Sequence, residues 1–331
     1  MAKGIRKKKR LFKFLLFVIF CIVCIFLILY GYKNIDSDDS SKDKQDANVA
    51  TTGEISFHFL ELGNKHTGDS IYIKAGENDI LIDAGSKRDS ADDISGYLDN
   101  YVTDDKLEYV IATHADEDHI AAFVGNKTVK GIFDTYECGT IIDFPRTNKT
   151  TKVYSDYVEK RDSLIDEDTF HYSALECYKE ENGAKRVYEL GESISMEILY
   201  NYYYENNTSD ENDYSVCLMF HHGSKHFLFT GDLEEKGEEY LVEYNTLPEV
   251  ELFKAGHHGS PTSSNDCLLS VIKPKIVCVC CCAGSNEYTN NINNMFPSQA
   301  FISRVCKYTD KVYVTTIASE NESGYESFNG N

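Results

Sequence analysis

Positive charge is what this chain of 331 residues is short of: 33 Lys and Arg stand against 54 Asp and Glu, for a formal net charge of −21. Seven of those basic residues, Lys3, Arg6, Lys7, Lys8, Lys9, Arg10 and Lys13, sit at the extreme N-terminus, so the remainder is more acidic still. A surface of that sign repels nucleic acid phosphates unless metal ions intervene, which argues against a general DNA-binding module. It leaves room for an enzyme that draws a phosphodiester into a locally cationic metal site. Also missing are a Gly-rich loop that would cradle a phosphate, a serine or cysteine nucleophile arrangement, an internal repeat and a second linker. Eleven cysteines are present, but their placement carries little chemistry. Cys278, Cys280, Cys281 and Cys282 crowd into a segment, Lys275 to Gly284, that reads as a buried strand where thiols pack as small hydrophobes. Alternate strand residues face opposite sides of a sheet, which counts against a thiolate cluster.

One long hydrophobic run occurs. Leu11 to Tyr30 is apolar apart from Lys13, whose stem can snorkel. About twenty such residues span a bilayer as a helix. Ile28-Leu29-Tyr30-Gly31-Tyr32 offers no small-residue cleavage pattern, so an uncleaved anchor is preferred over a secretory signal. Basic residues precede the run, while Asp36, Asp38 and Asp39 follow it, which leaves the N-terminus in the cytoplasm and the rest outside. The expected organisation is a basic cytoplasmic tail at 1–10, a transmembrane anchor at 11–32, a flexible linker at 33–53 and one large domain at 54–331.

Along that domain, Ile55 to Leu60 alternates as a strand should, and Asp69 to Lys74 with Asp79 to Asp83 predicts a hairpin across Ala75-Gly76-Glu77-Asn78. Helices are expected over Ser90 to Asn100, Tyr154 to Ile165 and Leu233 to Tyr244. Further strand patterns run over Leu107 to Thr113, Ser193 to Tyr200, Ser215 to Phe220, His226 to Thr230, Val250 to Ala255 and Lys275 to Cys282. Residues 120 to 185 carry mixed short patterns with no clear assignment beyond that one helix. Two groups of strands, each followed by helices, predict two sheets packed face to face with helices outside.

The chemistry concentrates in Thr113-His114-Ala115-Asp116-Glu117-Asp118-His119, directly after the apolar Tyr109-Val110-Ile111-Ala112. A strand ending in such a cluster delivers imidazoles and carboxylates to one spot at a sheet edge, a donor set for a divalent ion and, with this much carboxylate, for two. Three more motifs fall at expected strand ends: Asp83 before Ala84-Gly85, Gly231-Asp232, and His257-His258-Gly259-Ser260. His221-His222-Gly223 copies the last of these but sits between two strands, where a solvated hairpin turn is the better reading.

With those residues in hand, the chain resembles the metallo-β-lactamase superfamily, and within it the exported hydrolase domain of ComEC-type DNA-uptake proteins and their stand-alone relatives. The resemblance runs from about Ile55 to the C-terminus. It rests on Gly68-Asp69-Ser70, Leu81 to Gly85, His114 to His119, Thr230 to Glu234, and Lys254 to Ser260, in the family's order. It implies an α/β, four-layer αβ/βα sandwich with a di-metal site at the sheet edges. His114 and Asp116 would hold one metal; Asp118 and His119, with His257 or His258, the other; Asp232 would bridge, and Asp83 would orient the site. Asp116 stands where most of the superfamily has a histidine, a harder ligand that moves preference from Zn²⁺ towards Mn²⁺. The superfamily's further histidine has no counterpart: Asn212, Asp213 and Ser215 occupy that region. Together with His258, Ser260, Lys254 and Asn286 they are candidates for metal or substrate contact. Phe296-Pro297 replaces a His-Pro typical of relatives, after Asn286 and Tyr288.

Two divalent ions about 3.5–4 Å apart would activate a bridging water as hydroxide and clamp both oxygens of an in-line displacement, with Asp118 orienting that water and accepting its proton. The expected function is an anchored extracellular metal-dependent hydrolase using Zn or Mn, a phosphodiesterase or nuclease. The alternatives are a phosphodiesterase acting on wall polymers or phosphorylcholine groups, and a non-catalytic surface module with a degenerate site. No protein partner is predicted.

Overall fold

Parallel strands deliver their C-terminal ends to the same edge of a sheet, and this fold uses that property twice. The structure, a computed structural model, describes residues 53–321 and 324–329. The expected tail and anchor, and all but the last residue of the linker, lie outside the described residues. Among the described residues no helix is long and apolar enough to cross a membrane.

Six strands form the first sheet side by side in chain order: β1 (Ile55–Phe59), β2 (Ile71–Ala75), β3 (Asn78–Ile82), β4 (Lys106–Ile111), β5 (Glu137–Asp143) and β6 (Phe170–Ser173). The predicted hairpin is present as β2 against β3, with Ile71 opposite Ile82. From β3 to β6 every pairing is parallel. Such crossovers need helices, here α1 (Ser90–Leu98), α2 (Glu117–Val124), the short α3 (Ile132–Thr135) and α4 (Lys152–Leu164), the last capped by the Thr151 side chain. A further short helix, α5 (Ala174–Lys179), leads to the second sheet.

That sheet contains β7 (Val187–Gly191), β8 (Ile194–Ile198), β9 (Leu218–His222), β10 (Lys225–Phe229), β11 (Leu252–Lys254), β12 (Ile276–Ala283), β13 (Val312–Asn321) and β14 (Gly324–Asn329), in reverse chain order across the sheet. Strands β10 to β13 are mutually parallel. The helices α6 (Glu235–Tyr244), α7 (Asp266–Ile272) and α8 (Gln299–Val305) connect them. The expected hairpin is present, but its turn is Gly223-Ser224: His221 and His222 lie within β9, paired with His226 and Lys225, and not in a solvated turn.

The sheets meet face to face. Phe57 of β1 packs against Phe220, Phe227 and Phe229 of the other sheet, with ring centroids 4.6 to 5.9 Å apart. Ile71, Ile73, Ile80 and Val110 share that core with Ile194, Met196 and Phe220. Ile94, Leu98, Ile120, Phe123 and Tyr157 bring α1, α2 and α4 into it. A second core joins Phe253, Val277 and Val279 to Leu241, Leu268, Ile272 and Phe301 of α6, α7 and α8. Each large apolar side chain so buried adds about 1.5–3 kcal/mol, which is what offsets a cluster of buried charge at the sheet edges. The cysteine-rich strand is β12. Its thiols are free, and burial pushes Cys278 and Cys281 up to about 12, so they pack as protonated thiols.

Candidate metal centre

The first sheet supplies Asp83 at the end of β3 and Thr113 to His119 between β4 and α2. Asp83 sits in the left-handed region, with φ of 59°, a conformation that costs a non-glycine residue about 1–2 kcal/mol. The turn aims its carboxylate across to the neighbouring strand. Thr113 donates to it twice, from backbone N–H and from hydroxyl, each at 2.7 Å, and His119 Nδ1–H donates at 2.7 Å. Gly85 follows because nothing larger fits: a Cβ there would lie 1.6 Å from the Asp118 carbonyl. The backbones of Asp69, Ala84 and Gly85 thereby interlock with the start of α2, Asp69 N–H reaching the Asp118 carbonyl at 3.0 Å and Ala84 N–H the His119 carbonyl at 2.8 Å.

The second sheet supplies Asp232 after β10 and the two histidines after β11. Gly231 has φ of 54°, and a Cβ on it would meet Ser215 and Thr113, so this glycine lets the two sheet edges close on each other. Ser215 accepts the Asp232 N–H at 3.0 Å. His257 and His258 both adopt left-handed backbone, φ of 45° and 54°, and the resulting turn sends them different ways. His258 is buried; its Nδ1–H donates to the Cys280 carbonyl at 2.9 Å, and its Nε2 points inward with no hydrogen bond. His257 is half-buried and faces Glu234 at 3.1 Å and Thr262 at 3.3 Å.

Three donors, His119, His258 and Asp232, therefore converge, and Asp118 stands beside one of them. Asp232 Oδ2 lies 3.1 Å from His119 Nε2 and 3.0 Å from His258 Nε2, and Asp118 Oδ2 lies 3.5 Å from His258 Nε2. Each imidazole spends its Nδ1–H on a fixed acceptor behind it, Asp83 or the Cys280 carbonyl, leaving the Nε2 lone pair for the centre. The spacings, and a buried His258 Nε2 that makes no well-aligned hydrogen bond, suit donors that share one divalent ion, so these residues fit the group. Of the two histidines left open by the sequence, His258 belongs to this set and His257 does not. Asp69 also comes within 4.8 Å of His119, Asp232 and His258. It lies on the Nδ1 side of both imidazoles, at 3.1 Å from His258 and 3.9 Å from His119, behind the donors rather than among them.

The second position is thinner. His114 Nε2 is buried with no hydrogen bond and lies 3.5 Å from Asp116 Oδ2, while its Nδ1 is 3.2 Å from the Thr113 hydroxyl and 3.5 Å from that of Ser215. Asp116 is ion-paired with Lys149. Asn212 reaches Glu234 and His257 at 3.4 Å each, and Asp213, buried beneath, accepts from the Glu234 N–H at 3.4 Å and the Thr208 hydroxyl at 3.3 Å. Burial pushes Asp213 up to about 6. Ser260 bonds Thr262, and Lys254 is wholly buried behind Asp232. Asn286 stands in the loop after β12, outside the set of side chains that line the cleft. Those are Asp116, Asp118, Asn212, Asp232, His257, His258, Tyr288 and Phe296, around about 250 Å³. Tyr288 donates to Asp118 Oδ2 at 3.3 Å, and the Phe296 ring lies tilted against those of His257, His258 and Tyr288.

Electrostatics bind the centre together. Burial works against charge on Asp232 and Asp118, but His119 and His258 outweigh it, with Lys254 helping at Asp232, and both stay ionised below the usual carboxylate range. Burial likewise opposes charge on His119 and His258, and the surrounding carboxylates reverse it, so both hold a proton well above the ordinary value. A divalent ion would take the place of those protons.

Two contributors escaped the sequence: Lys149, in the unassigned stretch, and Asp69, whose motif was noted without a role. The only hint for Lys149 was a cation in an acidic chain. For Asp69 it was a carboxylate just before a buried strand.

The metallo-beta-lactamase superfamily model matches residues 63–126 and 209–283, two segments that hold every donor described above. Among curated proteins the chain is similar to recombination protein 2 of Haemophilus influenzae, 28% identical over 113 residues, covering 34% of this chain and 13% of that protein. It is similar to competence protein ComA of Neisseria gonorrhoeae, 31% identical over 121 residues, 36% of this chain and 16% of that one. ComE operon protein 3 of Bacillus subtilis is 24% identical over 187 residues, 55% of this chain and 20% of that one. The matched part is thus a fifth or less of each relative's length. A solved metallo-beta-lactamase fold protein of Bacillus subtilis superposes with a TM-score of 0.44 at 12% identity, over 83% of this chain and 99% of that one.

Proposed function

Because this chain belongs to the metallo-beta-lactamase superfamily, we propose that its centre runs metal-dependent hydrolysis and that the bond it cleaves is a phosphodiester. The observation that carries this reading is the convergence of His119 and His258 on Asp232 Oδ2, with Asp118 beside His258 and the buried His258 Nε2 making no well-aligned hydrogen bond. Divalent ions held there, and at His114 and Asp116, would supply Lewis acidity and a lowered pKa for water.

The remaining work falls to side chains. Asp83 locks His119 in one tautomer and one orientation. Asp118 is the group to take the proton of the attacking water: it is ionised, faces the cleft, and accepts from Tyr288. Burial and the neighbouring Asp118 push the Tyr288 phenol up, so it remains a proton donor at neutral pH and can bond an oxygen of the substrate. Among the described residues no Lys or Arg lines the cleft, so anion capture rests on the ions and on Lys149 at its edge. That is the charge distribution expected of an acidic protein whose substrate is an anion recognised at a metal.

Relatives named for competence and recombination favour nucleic acid as the polymer. Attachment to the membrane by residues 11–32, with the domain outside, is part of the same proposal; the apolar length of that run supports the anchor, and the basic residues before it with the acidic ones after it support the orientation. A phosphodiesterase of wall teichoic acids or phosphorylcholine groups fits that location equally. The thin donor set at the second position favours, as the competing reading, a module that binds without turning over. Purified protein stripped of metal and reloaded with Zn²⁺ or Mn²⁺ should hydrolyse bis-p-nitrophenyl phosphate, and the Asp232→Ala variant should lose at least about 10³-fold in kcat/KM. A single-stranded oligonucleotide tests for a nuclease. Metal uptake without turnover of either compound would select the binding module.

A further inference from the structure

Two motif residues remain without a role in that mechanism, Asp69 and Lys254. They are 185 positions apart in the chain, each 1% exposed, and they form an ion pair directly behind the donors. Lys254 ends β11 with its ammonium in the interior. It donates to the Gly231 carbonyl at 2.9 Å and to Asp232 Oδ1 at 3.1 Å, in addition to Asp69 Oδ2. The two oxygens of Asp232 are therefore divided: Oδ1 belongs to Lys254, and Oδ2 stands between His119 Nε2 and His258 Nε2. The other oxygen of Asp69 touches His258 Nδ1 at 3.1 Å, on the side away from the cleft. Neither residue lines the cleft, which excludes a substrate contact.

We propose that Lys254 and Asp69 are a positioning pair for the metal ligands, the ammonium reserving one oxygen of Asp232 so that only Oδ2 faces the ion. A buried lysine at this point does what no neutral residue can. It holds a carboxylate by one oxygen, and it neutralises Asp69, which would otherwise be a buried, unpaired charge behind His119 and His258. Asp69 in turn pairs with the ammonium and backs His258. The inference rests on the metal reading of the centre but not on turnover.

The test is a double-mutant cycle on metal binding in the full chain, with Lys254→Met, Asp69→Asn and the two combined. Kd for Zn²⁺ is read by competition with a chromophoric chelator, and folding is checked by circular dichroism and thermal melting. Each single variant should weaken binding by about 10–100-fold, the range typical of residues that orient ligands from behind. The double variant should lose less than the product of the singles, because neither charge is then left buried alone. Co²⁺-loaded Lys254→Met should show a weaker visible absorption than the parent, since freeing Oδ1 raises the coordination number. A merely structural lysine would not move that band. Folded single variants with parental Kd and an unchanged Co²⁺ spectrum overturn the proposal, as does a strictly multiplicative double variant. Should Lys254→Met fail to fold, Asp69→Asn carries the same spectral and affinity test. A parent that binds no metal overturns this proposal and the functional one together. A parent that binds metal, shows the coupling and hydrolyses nothing sinks only the phosphodiesterase reading.

Discussion

The deep and the outer halves of the centre use the same kinds of residue, yet the protein stands behind them very differently. His119 and His258 each have Nδ1–H committed to a fixed acceptor, and Asp232 is held by Lys254 and through the Ser215 contact to its N–H. In the outer half, Asp116 is engaged by Lys149, His257 by Glu234 and Thr262, and Asn212 shares both Glu234 and His257. The deep position is preorganised, so an ion meets its ligands already oriented; at the outer one His114 Nε2 makes no hydrogen bond, but Asp116 must first give up Lys149. Two positions of similar composition should therefore fill in order, the deep one first.

The largest effect that would break this comparison separates two adjacent histidines. His258→Ala should remove one equivalent of bound metal and lower kcat/KM by about 10³-fold, whereas His257→Ala should keep the stoichiometry and cost less than about tenfold. Metal analysis of the two purified variants decides it, and the reverse result would move the centre to the outer face. Next in size is pH. His119 and His258 hold protons above the ordinary histidine value of 6.5, and their Nε2 atoms can bind an ion only after losing them. Affinity at the deep position should therefore rise with pH and fall as pH drops through neutrality, by up to about 100-fold per pH unit if both protons are displaced. At Asp116, burial opposes ionisation, but His114 and Lys149 override it and hold the carboxyl well below the usual range, so that ligand adds no slope near neutrality. Zn²⁺ competition titrations between about pH 6 and 8, with proton release followed in weak buffer, test the sign; a flat profile would mean the imidazoles are already neutral.

The sequence exposed the donors because strand ends are readable. Apolar runs such as Tyr109 to Ala112 and Phe227 to Phe229 end abruptly in polar residues, and parallel pairing carries those ends to one edge. Asp83, His114 to His119 and Asp232 follow from that pattern alone. The choice between His257 and His258 does not, because it depends on two consecutive left-handed residues, and neither is a glycine that would announce the turn. Asp69 and Lys254 were visible as motif members, but an ion pair bridging 185 residues leaves no local periodicity. The stretch from 120 to 185 resisted reading because its elements are short: α3 and β6 have four residues each, and one strand, β5, is buried mainly at its end. The loop that carries Lys149 lies inside it.

Lys149 gives the smallest effect and the sharpest one in sign. Its loop is pinned where Thr147 and Asn148 donate to Glu211 at 2.6 and 2.7 Å, immediately before Asn212 reaches the cleft. The pinned loop sets the ammonium against Asp116, at the edge of a cleft lined by no Lys or Arg among the described residues. That placement makes two demands on one charge. With Asp116 free of a metal, Lys149 competes with the outer ion for a ligand; with the ion in place, it is free to face an incoming anion. Lys149→Ala should therefore tighten the outer metal while raising KM for bis-p-nitrophenyl phosphate, each by about 2–5-fold, with kcat nearly unchanged, because a half-exposed pair contributes no more than about 1 kcal/mol. Metal titration and steady-state kinetics on the same preparation read both. If the two quantities move together, Lys149 supports the outer ligand instead of competing for it, and the contrast between a prepared and an obstructed metal position fails at the residue that defines it.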